Sequence, residues 1–190
     1  MTEEQLHTAL NSGRISKAQV EQLVDQLLSH PELAGPLFQE VLKEDSEGTF
    51  NASWTFDHLM RKKLVYLLPI FDEFVDGLPQ LKSESCIRPM AHTCEMIAEA
   101  YFKKKDPAFI KNITDEQLDK ILTSCFDWLI SPMNIAPKVF SMTTLYYLGL
   151  KFDWVHPELR LVLEDTFATG TVGYQNRAKK TLDKLTKLGH

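Results

Sequence analysis

Apolar residues along this chain return at steps of three and four. Val20, Leu23, Val24, Leu27 and Leu28 form one stripe, and Leu118, Ile121, Leu122, Cys125 and Phe126 form another. A helix brings positions so spaced onto one face, so each stripe marks a segment that buries one side and wets the other. Three segments also carry a start signal. In Thr2-x-x-Gln5, Ser16-x-x-Gln19 and Thr114-x-x-Gln117 a hydroxyl accepts from an early backbone N–H while the amide reaches back to the cap. Strand-like alternation around Asn-Gly or Asp-Gly turns is absent. The pattern predicts an all-α chain with helices over 3–11, 16–29, 32–43, 53–67, 69–78, 87–104, 115–130, 136–150, 157–168 and 173–188.

Proline positions refine the boundaries. Pro31, Pro89, Pro137 and Pro157 are each expected in a first helical turn, where a missing N–H costs nothing. Pro69 stands between apolar runs and should break or kink the chain there. The stretch Lys43 to Asn51, acidic and glycine-containing, reads as the loosest connection. Other connections are short, so neighbouring helices should pack antiparallel.

At 190 residues and 44% hydrophobic content, the chain suits one domain whose core needs neither disulfide nor metal. We read residues 1–190 as a single helical domain, with 1–29 as an N-terminal cap. Cys86, Cys94 and Cys125 are an odd number without a Cys-x-x-Cys pair, which points to buried, reduced thiols. The longest apolar run, residues 64–71, is far too short to span a membrane, and the first twenty residues hold no apolar leader. A cytoplasmic location is the expectation.

Charge is unevenly spread. The chain carries a net −5, yet residues 1–50 hold nine acidic and three basic side chains, a net of −6. Residues 172–190 hold five basic side chains against Asp183, a net of +4. Two such poles can orient a partner or favour head-to-tail contact, and a basic last helix also complements its own dipole.

A weak repeat runs through the chain. His-Pro-Glu-Leu occurs at residues 30–33 and again at 156–159, separated by 126, or three steps of 42. Leu118, Ile121, Leu122 and Phe126 fall on Leu159, Val162, Leu163 and Phe167 after a shift of 41. Arg88, Lys138 and Arg177 place a base near the start of three helices. Paired helices at about forty residues per unit mark a solenoid. On these residues the chain resembles the HEAT/armadillo superfamily of helical repeats. The resemblance implies a right-handed α-α superhelix of about five helix pairs, whose inner helices line a shallow groove. An irregular helical bundle is the competing architecture.

Candidate chemistry is sparse. His92, Glu95 and Glu99 sit on adjoining helical faces, and Glu4-x-x-His7 has ligand spacing, but neither motif has a second half to complete a metal site. No Gly-x-Ser-x-Gly elbow and no phosphate-cradling glycine loop occurs. Ser131 to Lys138 faintly resembles the mobile loop of the fumarase/adenylosuccinate-lyase superfamily, without its paired serines or its Lys-x-Asn ending, and reads as an inter-helix turn. The expectation leans away from an enzyme, with no cofactor and no metal. A nucleic-acid-binding protein of the HEAT-like DNA-glycosylase type is the rival. Arg61, Lys62, Lys63, Lys103, Lys104 and Lys105 would extend its basic stripe, but the net −5 opposes counterion release as a driving force. The leading expectation is a non-catalytic module binding a protein or peptide through Arg88, Lys138 and Arg177, with His92 and Tyr146 as further contacts.

Overall fold

All three hydroxyl-x-x-Gln signatures close as capping boxes, at Thr2/Gln5, Ser16/Gln19 and Thr114/Gln117. Each satisfies two backbone donors that a helix start leaves over. The computed structural model describes residues 1–44 and 47–190, so Asp45 and Ser46 of the Lys43–Asn51 stretch lie outside the described residues. Among the described residues there are eleven α-helices and no strand. They are α1 (Glu3–Leu10), α2 (Lys17–Leu27), α3 (Ala34–Leu42), α4 (Glu47–Lys63), α5 (Phe71–Gly77), α6 (Glu84–Ala98), α7 (Pro107–Asn112), α8 (Asp115–Ile130), α9 (Ile135–Leu148), α10 (Val155–Phe167) and α11 (Val172–Lys187). Among the described residues no helix is long and apolar enough to cross a membrane.

Three boundaries differ from the sequence reading. α4 starts at Glu47 and ends at Lys63, after which Leu64–Ile70 tightens into a 3-10 turn around Pro69. α6 starts at Glu84, which leaves Pro89 inside the helix instead of at its opening. α7, capped by the Asp106 carboxylate accepting from the Ala108 N–H, was not foreseen as a helix of its own. A π turn at Glu99–Lys103 ends α6 and separates it from α7.

The chain divides into two compact units, Met1–Thr93 and Cys94–His190. In the first, α1 packs on α3, α2 on α4, and α3 on both α4 and α5. Contact between each helix and the next but one is what a row of stacked helical hairpins requires. α4 is the axle of this unit, and its polar side chains are used internally. Asn51, fully buried, donates to the Leu10 and Gly13 carbonyls and accepts from the Ile15 N–H, tying down the α1–α2 loop. Gly13 is required there because the loop turns through φ +98, where a side chain is strained. Phe38 of α3, Phe56 of α4 and Phe74 of α5 meet as a cluster of rings with centroids 5.4–6.2 Å apart.

In the second unit α9 packs on α8, α10 and α11. It is buried nearly all round, from Ser141 to Leu145 without interruption, which explains why its sequence lacks a clear polar face. α8 buries Leu118, Ile121, Leu122 and Cys125 as the stripe predicts, while Phe126 is half-exposed and stacks on Trp154. Cys86, Cys94 and Cys125 are buried and free. Burial pushes the Cys94 thiol well up, with Cys125 beside it adding to the effect, so the thiol stays protonated and unreactive.

Candidate functional site

The second unit carries one cleft of notable charge. It lies between α9 and α11, has a volume of ≈ 460 Å³, and is lined by Thr143 and Tyr146 from one side and Arg177, Lys180, Lys184 and Lys187 from the other. Spacings of three, four and three residues, at 100° per residue, place the four cations within about 80° of the α11 circumference. The adjacent quarter of the same helix holds Tyr174, Ala178, Thr181 and Leu185, all buried. Burying that face therefore fixes the direction of the cationic one. Asp183 is the acid on the cleft's border. Arg177 is held in place: it donates from Nη1 to the Thr143 hydroxyl at 2.7 Å and lies 3.5 Å from Glu95.

The Tyr146 ring is engaged by its neighbours. The Lys184 ammonium sits 4.9 Å from the ring centroid. The His156 ring stacks at 5.8 Å, tilted by 26°. Because a carbonyl only accepts, His156 Nε2 carries a proton and donates to the Tyr146 carbonyl at 2.8 Å.

A family model described as a HEAT repeat domain matches residues 6–184. The chain belongs to the HEAT repeat domain family. No curated protein and no solved structure matches it significantly.

Within this HEAT repeat domain, the residues singled out by sequence fall in different places. Arg177 and Tyr146 come together in the α9–α11 cleft. Lys138 sits half-buried in the first turn of α9, about 12 Å along the axis from Tyr146, and does not line the cleft. Arg88 and His92 belong to the first unit. Arg88 is exposed on α6. His92 donates from Nδ1 to the buried Asp57 carboxylate at 2.5 Å, and Arg61 Nη2 meets the other Asp57 oxygen at 2.6 Å. A buried carboxylate with two such partners is satisfied, so this trio braces α4 against α6. Two other residues of the candidate metal motifs are engaged elsewhere. Glu99 pairs with Lys103, and His7 pairs with Glu40. Among the described residues no three His, Cys, Asp or Glu side chains converge as a metal would need.

Lys180, Lys184 and Lys187 are cleft residues that the sequence reading does not single out, since a basic last helix is accounted for by its own dipole. Their spacing from Arg177 was the available signal. What sequence does not show is that α11 packs on α9, and therefore what that row faces.

The support beneath Tyr146 is titratable. Burial pushes His156 below its ordinary value of 6.5, and His190 adds to the lowering, while the bond to the Tyr146 carbonyl and the Asp153 charge oppose it. His58 is lowered as well, by burial and by Arg61. A histidine depressed in the folded state binds fewer protons there than in the unfolded chain, so its contribution is complete above pH 6.5 and is lost as pH falls through the folded value. The urea midpoint of the HEAT protein is expected to fall on acidification from neutrality into this window. His156→Gln, which keeps a donor for the carbonyl, should flatten that slope and leave the part due to His58. An unchanged slope in the variant would remove His156 from the account.

Proposed function

We propose that this HEAT repeat chain is a non-catalytic protein-interaction module, acting as one domain in the cytoplasm, whose α9–α11 cleft receives an acidic protein partner. The observation that carries the reading is the row Arg177, Lys180, Lys184 and Lys187 along one wall of a formed cleft, in a chain whose net charge is −5. Charge concentrated against the overall sign steers a partner of opposite charge to one place. Arg177, held by Thr143 and Glu95, loses little freedom on binding.

Nucleic acid is the weaker reading for two reasons. Single-stranded binding depends on aromatic faces open to bases, and the Tyr146 ring is already engaged by Lys184 and stacked with His156. Of the wider basic stripe, Arg61, Lys62 and Lys103 are ion-paired with Asp57, Asp25 and Glu99. The test is charge reversal. Lys180→Glu, Lys184→Glu and Lys187→Glu together should weaken binding of a fluorescent glutamate-rich peptide roughly tenfold or more, with the melting temperature little changed, because all three are exposed. Arg88→Glu should leave binding intact. Equal binding by the triple variant, or tight retention of the wild type on DNA, would overturn the reading.

A further inference from the structure

Resting on the acidic-partner reading above, we infer that the element seated in the α9–α11 cleft is a helix presenting a row of carboxylates along one face. The cleft walls are two helices, and every lining residue lies within α9 or α11. The backbone N–H groups at these positions are therefore engaged in their own helices. The cleft offers side chains only: four cations with Thr181 and Asp183 from α11, and the Thr143 hydroxyl and Tyr146 from α9. An extended peptide brings a row of unpaired backbone N–H and C=O groups, and it is held where a sheet edge answers them. No strand exists among the described residues. A helical partner satisfies its own backbone and needs from the cleft only what the cleft has.

The register agrees. The cations step by three, four and three residues, about 4.5, 6 and 4.5 Å along the α11 axis. Carboxylates at i, i+3, i+7 and i+10 of a second helix lying alongside repeat the same steps. An extended chain places same-face groups every ~6.7 Å and falls out of phase along the row. A groove between two packed helices, whose axes lie about 8–10 Å apart, also has the shape to seat a third. The lysine stems supply aliphatic surface beneath their charges.

Four probes separate the outcomes, each read by fluorescence anisotropy on the full chain at low salt. The first is a stapled alanine-based helix of about fifteen residues with glutamates at i, i+3, i+7 and i+10. The second has the same composition and staple with glutamates spread around the axis. The third is the one-face sequence broken by central prolines. The fourth is a single-stranded oligonucleotide of equal charge. The expected result is that the one-face helix binds roughly tenfold more tightly than the other three, and that the Lys180, Lys184 and Lys187 reversal abolishes the advantage. Should that variant unfold, Lys184→Ala alone must still narrow it. Equal binding of all three peptides, sensitive to the lysines, sinks the helix while the acidic-partner reading stands. No peptide binding, or binding indifferent to the lysines, sinks both, as does preference for the oligonucleotide. Concentration-dependent dimerisation in light scattering, lost on lysine reversal, would make a second copy the occupant and overturn the separate helical partner.

Discussion

Phe38→Ala is expected to cost about 3–5 kcal/mol, the range for emptying a large aromatic site in a packed core. Phe38 is fully buried and is the side chain through which three helices of the first unit meet. Its ring lies 5.5 Å from Phe56 of α4 and 5.4 Å from Phe74 of α5. The third contact is Gly77, where an added Cβ would stand 2.8 Å from the Phe38 ring. The ring is thus bounded by backbone at Gly77 and by the rings of Phe56 and Phe74, none of which can move in to fill the space without giving up its own packing. Against a typical stability of about 5–15 kcal/mol, such a loss leaves little reserve. Phe38→Leu should cost distinctly less. Urea unfolding with an unchanged slope checks the prediction. A loss below about 1 kcal/mol would mean that the cluster relaxes and is not the keystone described.

The parts of this structure that were readable in advance are the local ones. A capping box is local, and all three hydroxyl-x-x-Gln signatures in the sequence are formed. The stripes on α2 and α8 bury as the period demands, because amphipathic spacing is also a local property. Pro89 misled because a first-turn position is the cheapest place for proline, whereas here the helix is started five residues earlier. Its preceding residues are held from a distance: the Glu44 carboxylate accepts from the Ser83 N–H. α7 was legible through Asp106-Pro107, a cap followed by a first-turn proline, but its short length hid it inside a longer connection.

The site divides the same way. That Arg177 lies near a helix start could be read from the sequence. That it is gripped by Glu95 and Thr143, 82 and 34 positions away, could not. The repeated His-Pro-Glu-Leu marked a periodic unit correctly as text, yet its two histidines do different work. His30 opens a 3-10 turn and meets the terminal amine, and His156 is buried against Tyr146. Identical tetrapeptides acquire different roles because tertiary neighbours, not the local sequence, supply their partners.

Gly149→Ala is expected to show how the HEAT fold and the cleft are joined. Gly149 has an ordinary helical φ of −63, so its requirement is space and not backbone freedom. A Cβ placed there runs directly into the His156 imidazole. That ring cannot give way without losing its bond to the Tyr146 carbonyl and its stack beneath the Tyr146 ring. Overpacking of this kind costs about 1–3 kcal/mol. The second consequence is functional: with His156 displaced, Tyr146 loses its stacked neighbour while keeping the Lys184 contact. The affinity of the cleft for the one-face acidic helix should therefore drop several-fold, although no lining residue has been changed. A double-mutant cycle separates a clash from a general loss of packing. His156→Ala alone should destabilise, yet Gly149→Ala combined with His156→Ala should be more stable than the sum of the two losses implies, since the second change removes the obstacle met by the first. Strict additivity would show that the methyl group and the imidazole do not compete for the same space, and that Tyr146 is positioned by something other than the histidine beneath it.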